Sequence, residues 1–114
     1  MNLALAIVGH MVGDYLLQND WLAEGKKRSS LICALHCAIW VLSVCVATSC
    51  WIPWVIAFLF ITHFAQDRTG FVRWYMVAIG QDKFASPPMA PWSIIVVDNV
   101  FHLVALAVIA RSLA

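Results

Sequence analysis

The chain has 114 residues, of which 63% are hydrophobic and only 11% charged, and its mean hydropathy is +0.86. So few charges cannot coat a soluble domain of this size, which points to a membrane protein. A net charge of +1 without a dense basic patch argues against a nucleic-acid partner, and the length leaves room for a single domain, residues 1–114, built from spanning helices of about 20 residues each.

Four apolar segments follow in order: Asn2 to Gln18, Ser30 to Thr48, Trp51 to Gln66, and Pro91 to Ala110. Between them lie NDWLAEGKKRSS, the short TSCWIP and the longer DRTGFVRWYMVAIGQDKFASPPMAP. Ser29 and Ser30 suit a helix N-cap, Pro53 suits a first turn, and Pro87, Pro88 and Pro91 interrupt the chain before the last segment. The first segment has no basic leader and no small-x-small cleavage pattern, and it carries a charge in its middle. It is expected to be a mature helix and not a cleaved signal. GFVRWYMVAIG, with Phe71, Trp74, Tyr75 and Met76 beside Arg73, suits a helix lying in the membrane interface. The expected fold is therefore all-α: an integral membrane bundle of four transmembrane helices, with a short interfacial helix between the third and fourth.

Lysines and arginines orient this bundle. Loop one holds Lys26, Lys27 and Arg28, loop three holds Arg68, Arg73 and Lys83, and loop two holds none. By the positive-inside rule loops one and three face the cytoplasm and both termini lie outside.

All four histidines, His10, His36, His63 and His102, fall in these segments, together with three of the six acids, Asp14, Asp67 and Asp98. HMVGD, HFAQD and DNVFH each place a carboxylate and an imidazole four residues apart, on one helix face. At about 1.5 Å per residue all seven fall in the cytoplasmic half of the bundle, where they can meet. Ionisable groups inside a membrane are costly and must neutralise one another, bind a cation or face water. Imidazole and carboxylate together suit one or two divalent ions, zinc first, manganese or iron next, with Asp14, Asp67 and Asp98 and the four histidines as ligands. A proton or ion relay and plain polar helix packing are the alternatives.

Around these seven, Gln18, Thr62, Gln66 and Asn99 are placed to hydrogen-bond a ligand. Lys26 lies where a substrate phosphate could be held, although ordinary positive-inside charge explains it as well. Gly9 and Gly13 allow close helix approach. Cys33 and Cys37 share a face near His36, where small apolar packing competes with a thiolate-containing site; no disulfide framework is visible among Cys33, Cys37, Cys45 and Cys50.

HMVGDYLLQNDWLAEGKK, the isolated His36, THFAQD and DNVFH resemble a small bacterial and phage membrane family of unknown function, DUF3307. Its members show an H-x-x-x-D-x-x-L-Q-x-x-x-[LM] opening, a lone histidine, T-H-x-x-x-D and D-Q-x-x-H. By that resemblance His10, Asp14, Gln18, His36, His63, Asp67, Asp98 and His102 occupy the family's motif positions, and Asn99 stands where glutamine is usual. The pattern is also similar to membrane-bound metal-dependent hydrolases, including relatives of zinc-dependent phospholipases. It implies residence in a bacterial inner membrane. The expectation is a metal-dependent hydrolase acting on a phospholipid or lipid-linked phosphate ester at the cytoplasmic leaflet, with Asp67 or Asp98 as general base. The rival is a non-enzymatic carrier of protons or metal ions, or an envelope interaction protein. A homo-oligomer is allowed by the sequence but not specified by it.

Overall fold

Side-chain caps open three of the six α-helices. The computed structural model describes Met1–Ala114. In it Asn2 Oδ1 accepts from the Leu5 N–H at 3.2 Å and opens α1, Leu3–Met11. A single π-helical turn, Val12–Leu16, extends α1. Asn19 Oδ1 accepts from Leu22 N–H at 2.9 Å and opens the short α2, Asp20–Gly25. Ser29 Oγ caps α3, Ser30–Thr48, through Ile32 N–H, and Pro53 occupies the first turn of α4, Pro53–Arg68. Each cap satisfies an N–H group that no preceding turn can reach. α5, Phe71–Ala78, and α6, Trp92–Ser112, complete an all-helical chain.

The expected boundaries and the observed ones agree within about two residues for three segments. The first differs, because its last part is a π turn, and α2 inside loop one was not anticipated. α3 and α6 are long and apolar enough to cross a membrane. The other two expected spans are shorter. α4 has 16 residues, about 24 Å at 1.5 Å per residue, and α1 with its π turn runs only from Leu3 to Leu16.

The four longer elements alternate in direction. Loop one, the end of α4, α5 and the start of α6 gather at one end: Arg68 reaches back to the carbonyls of Lys27 and Arg28. The opposite end is closed by an apolar cluster that includes Ala6, Val44, Val55, Leu59, Leu106 and Ile109. The buried residues are mostly apolar, but eight polar or ionisable side chains are buried with them. The interior holds His10, Asp14, His36, His63, Gln66, Asp67, Ser93 and His102. On the outside of α6, Val96, Val100, Val104 and Val108 form a stripe about half exposed.

Candidate metal centre

Four elements each deliver part of one polar cluster. The π turn carries Asp14, α3 carries His36, α4 carries His63 and Asp67, and α6 carries Asp98 and His102. α1 can press close to α3 because Gly9 and Gly13 have no side chains: a Cβ at Gly13 would lie 2.8 Å from Trp40 Cδ1, and one at Gly9 2.7 Å from Val44 Cα. π turns are rare and concentrate at functional sites. This one sits at Asp14 itself.

The geometry is that of donors pointing at a common centre. His36 Nε2 lies 3.2 Å from Asp14 Oδ1, 3.1 Å from Asp67 Oδ2 and 3.0 Å from His63 Nε2. His63 Nε2 lies 3.5 Å from Asp14 Oδ1 and 2.9 Å from Asp67 Oδ2. A tetrahedral zinc ion with bonds of about 2.0–2.1 Å sets its ligand atoms about 3.3–3.4 Å apart. Five of the six edges of this tetrahedron are thus close to the size an ion requires. Asp14 Oδ1 makes no hydrogen bond even though two imidazole nitrogens are within 3.5 Å. The atoms approach without being aligned on one another, as ligands of a shared ion do. Asp14, His36, His63 and Asp67 can hold a divalent ion, and Asp14, Asp98 and His102 form a second, looser donor set. In that set His102 Nε2 is 3.2 Å from Asp98 Oδ2 and 3.9 Å from Asp14 Oδ2.

Charge points the same way. Asp14, Asp67 and Asp98 bring three negative charges, and Lys26 is the single ammonium among them, 3.1 Å from Asp67 Oδ2. With neutral imidazoles, one divalent cation balances the remainder. Burial pulls the Lys26 ammonium down, the Asp67, Asp14 and Asp98 carboxylates outweigh it, and Lys26 holds its proton above the ordinary lysine range.

The sequence as a whole matches the model of a family described as a protein of unknown function (DUF3307), over residues 3–114. The chain belongs to the DUF3307 family. No curated protein and no solved structure matches it.

Six of the seven ionisable residues singled out in this DUF3307 chain thus come together, and His10 stands apart. Its Nδ1 accepts from Trp40 Nε1–H at 3.0 Å and its Nε2 bonds Asn99 Oδ1, so both nitrogens are engaged by the protein; Asp14 Oδ2 is 3.6 Å away. Asn99 therefore orients His10. Gln18 donates to the Asp14 carbonyl at 3.2 Å, bracing the π turn. Thr62 bonds back to the carbonyls of Phe58 and Leu59 in its own helix and does not reach the cluster. Lys26 is committed to Asp67. Cys33 and Cys37 are buried free thiols outside both donor sets.

Two further residues matter. Gln66 Nε2 donates to both Oδ1 and the carbonyl of Asp98 at 2.8 Å, holding that carboxylate in place. Trp40 stacks on His63 at 4.1 Å between ring centres, and His63 stacks on His102 at 4.1 Å. His36 Nδ1 and His63 Nδ1 have no partner. For His63 the ring column takes over the orienting role that an outer hydrogen bond usually plays in metal sites. Trp40 lies one turn after His36 on the same face of α3, a spacing visible in the sequence but carrying no metal signal of its own.

Proposed function

We propose that this chain is a membrane-embedded metal-dependent hydrolase acting on a phospholipid or lipid-linked phosphate ester. The observation that carries this reading is the tetrahedron formed by His36 Nε2, His63 Nε2, Asp14 Oδ1 and Asp67 Oδ2, five of whose six edges are 2.9–3.5 Å. One resident ion, zinc by donor type, balances the charge of the cluster. A second would sit between Asp14, Asp98 and His102 and would bring excess positive charge, which a substrate phosphate is suited to offset.

A bound divalent ion of this kind acidifies a water and polarises a phosphoryl oxygen. The protein's own contribution follows from burial. Asp67 is 1% exposed and paired with Lys26, so it is occupied as a ligand. The Asp98 side chain is 22% exposed and lines a cavity of about 240 Å³ with Gln18, Lys26, Lys27, Ile94 and Ile95. Asp98, steadied by Gln66, is thus the acid placed to take the proton of an attacking water. The mixed wall of that cavity, with Lys26 and Lys27 beside Val72, Ile94 and Ile95, suits an amphiphile with an anionic head.

Membrane residence with four spans is part of the same reading. Its support is the exposed apolar surface of α6, whose apolar window is only 22% buried, whereas a helix in a soluble core is mostly buried. A long axis of 40 Å matches a bilayer of about 40–45 Å with headgroups. The shorter α1 and α4 fit locally thinned lipid or rely on flanking residues. Five cations, Lys26, Lys27, Arg28, Arg68 and Arg73, gather at the end nearest the cluster, which orients that end to the cytoplasm of a bacterial inner membrane. A carrier requires a polar path to the far side. The apolar plug of Ala6, Val44, Val55, Leu59, Leu106 and Ile109 behind the cluster argues against one.

Elemental analysis of detergent-purified protein should find one divalent ion per chain, lost in His63→Gln. Loaded protein should then release phosphate or a phosphorylated headgroup from lipid substrates, and Asp98→Asn should lose release while keeping the metal. Stoichiometric metal without hydrolysis of any phosphate-ester lipid would leave a binding or carrier role; absence of metal would end the proposal.

A further inference from the structure

A second cavity, of about 330 Å³, lies beside the mouth of the metal cluster and is lined by Lys27, Arg68, Thr69, Gly70, Val72, Arg73 and Ile94. It contains three cations and no acid. None of the three forms an ion pair, since the one lysine or arginine that does so in this chain is Lys26. Positive-inside bias explains cations at this end of the bundle. It does not explain three of them around one concavity with no counter-charge.

One of the three cations is also held in place. Arg68 donates through Nη1 to the Lys27 carbonyl at 2.8 Å, through Nη2 to the Arg28 carbonyl at 3.3 Å and through Nε to Ser30 Oγ at 3.2 Å. Its partners are all neutral, so its charge is fixed in place without being cancelled. Val72 is buried and Ile94 half-buried at the back of the concavity, while Lys27 and Arg73 stand exposed at its rim. Clustered guanidinium and ammonium groups recognise phosphate above other anions of similar size, by charge and by fork geometry.

We propose that this cavity is a phosphate-binding site distinct from the metal ligands. It shares Lys27, Val72 and Ile94 with the cavity that Asp98 lines, so one ligand can occupy both. Phosphate binding stands on the cations alone; the further role, seating the headgroup of the amphiphile that is hydrolysed, rests on the hydrolase reading. The chemistry fits a lipid headgroup and a free phosphate equally.

The test uses full-length protein in neutral phosphatidylcholine nanodiscs, stripped of metal by a chelator and titrated with inorganic phosphate at low ionic strength. Saturable binding is expected, weakened about tenfold for each cation removed in Lys27→Gln and Arg73→Gln. Lys83→Gln with Arg111→Gln removes the same charge elsewhere and should leave binding unchanged. Equal binding by the wild type and the Lys27→Gln/Arg73→Gln variant, or binding only when metal is present, overturns the site. Competition by phosphatidic acid in the nanodisc assigns a lipid headgroup, and its absence assigns free phosphate; either result requires the site. Metal content is measured in parallel. A chain that binds phosphate but no metal loses the hydrolase reading and keeps this one.

Discussion

The indole N–H of Trp40 donates to Nδ1 of His10 at 3.0 Å, and Nε2 of the same ring is taken by Asn99. Because the indole can only donate, Nδ1 must accept, which leaves the proton on Nε2. His10 is then a neutral strut between α1, α3 and α6, with no lone pair free for an ion. His10→Gln should retain the metal, whereas His36→Gln or His63→Gln should release it. The cost of His10→Gln should appear instead as about 1–3 kcal/mol of stability, the penalty for leaving the Trp40 donor buried without a partner. Metal content and denaturation midpoint, measured together, separate the two outcomes; loss of metal in His10→Gln would place His10 among the ligands.

Metal retention should fall as the solution is made acidic, because a protonated imidazole cannot ligate. Lys26 gives no competing trend. Its folded-state proton affinity is raised, so its stabilising charge is fully present below the ordinary lysine value of about 10.4 and is lost only as pH rises beyond it. Stability measured from pH 5 to 9 should therefore drop on the acid side in metal-loaded protein, with Lys26→Met showing the same acid limb. An acid limb in chelator-treated protein as steep as in loaded protein would count against metal as its cause.

Much of this centre was legible before any coordinates, and the reasons are local. Ser29 and Pro53 mark helix starts by their own chemistry. The four-residue spacings His63-x-x-x-Asp67 and Asp98-x-x-x-His102 define faces that must turn inward in an apolar setting. What the sequence could not reveal lies in contacts between distant segments. Nothing in Trp40 itself announces that it bonds a histidine thirty positions earlier, so His10 looked like a ligand. Lys26 looked free for a substrate because its partner Asp67 lies on another helix. The π turn at Val12–Leu16 differs from an α-helix by a single added residue, a change that hydrophobic periodicity over so short a run does not register. Span length is the remaining discrepancy: apolar composition extends past where hydrogen bonding ends the helix, as in the first segment.

Gly13 adjoins Asp14 and faces Trp40, where a Cβ would lie 3.0 Å from the Trp40 Cα and 2.8 Å from Cδ1. Backbone cannot yield as a flexible side chain can, so Gly13→Ala should push the π turn off α3. A cost of about 1–3 kcal/mol is expected, with weakened metal binding because Asp14 moves too. Gly70→Ala, which meets nothing within 4 Å at an ordinary φ of −84, should change stability by less than about 0.5 kcal/mol. Equal metal affinity in Gly13→Ala and wild type would show that Asp14 tolerates the shift.

Lys26 and an ion held by the cluster would serve the same carboxylate, and this would couple their energies. Asp67 is 1% exposed and Lys26 Nζ approaches its Oδ2 at 3.1 Å. Removing one partner of a buried ion pair costs about 3–5 kcal/mol because the other charge is left uncompensated. In metal-free protein Lys26→Met should therefore destabilise by several kcal/mol. With an ion bound, Asp67 has a second positive partner, so the same substitution should cost markedly less. The difference between the two costs is a coupling energy, and by reciprocity the metal should bind Lys26→Met more tightly relative to its own apo state than it binds the wild type. Chemical denaturation of both proteins, each with and without metal, closes the cycle. Equal costs in the two forms would mean that Asp67 does not see the ion.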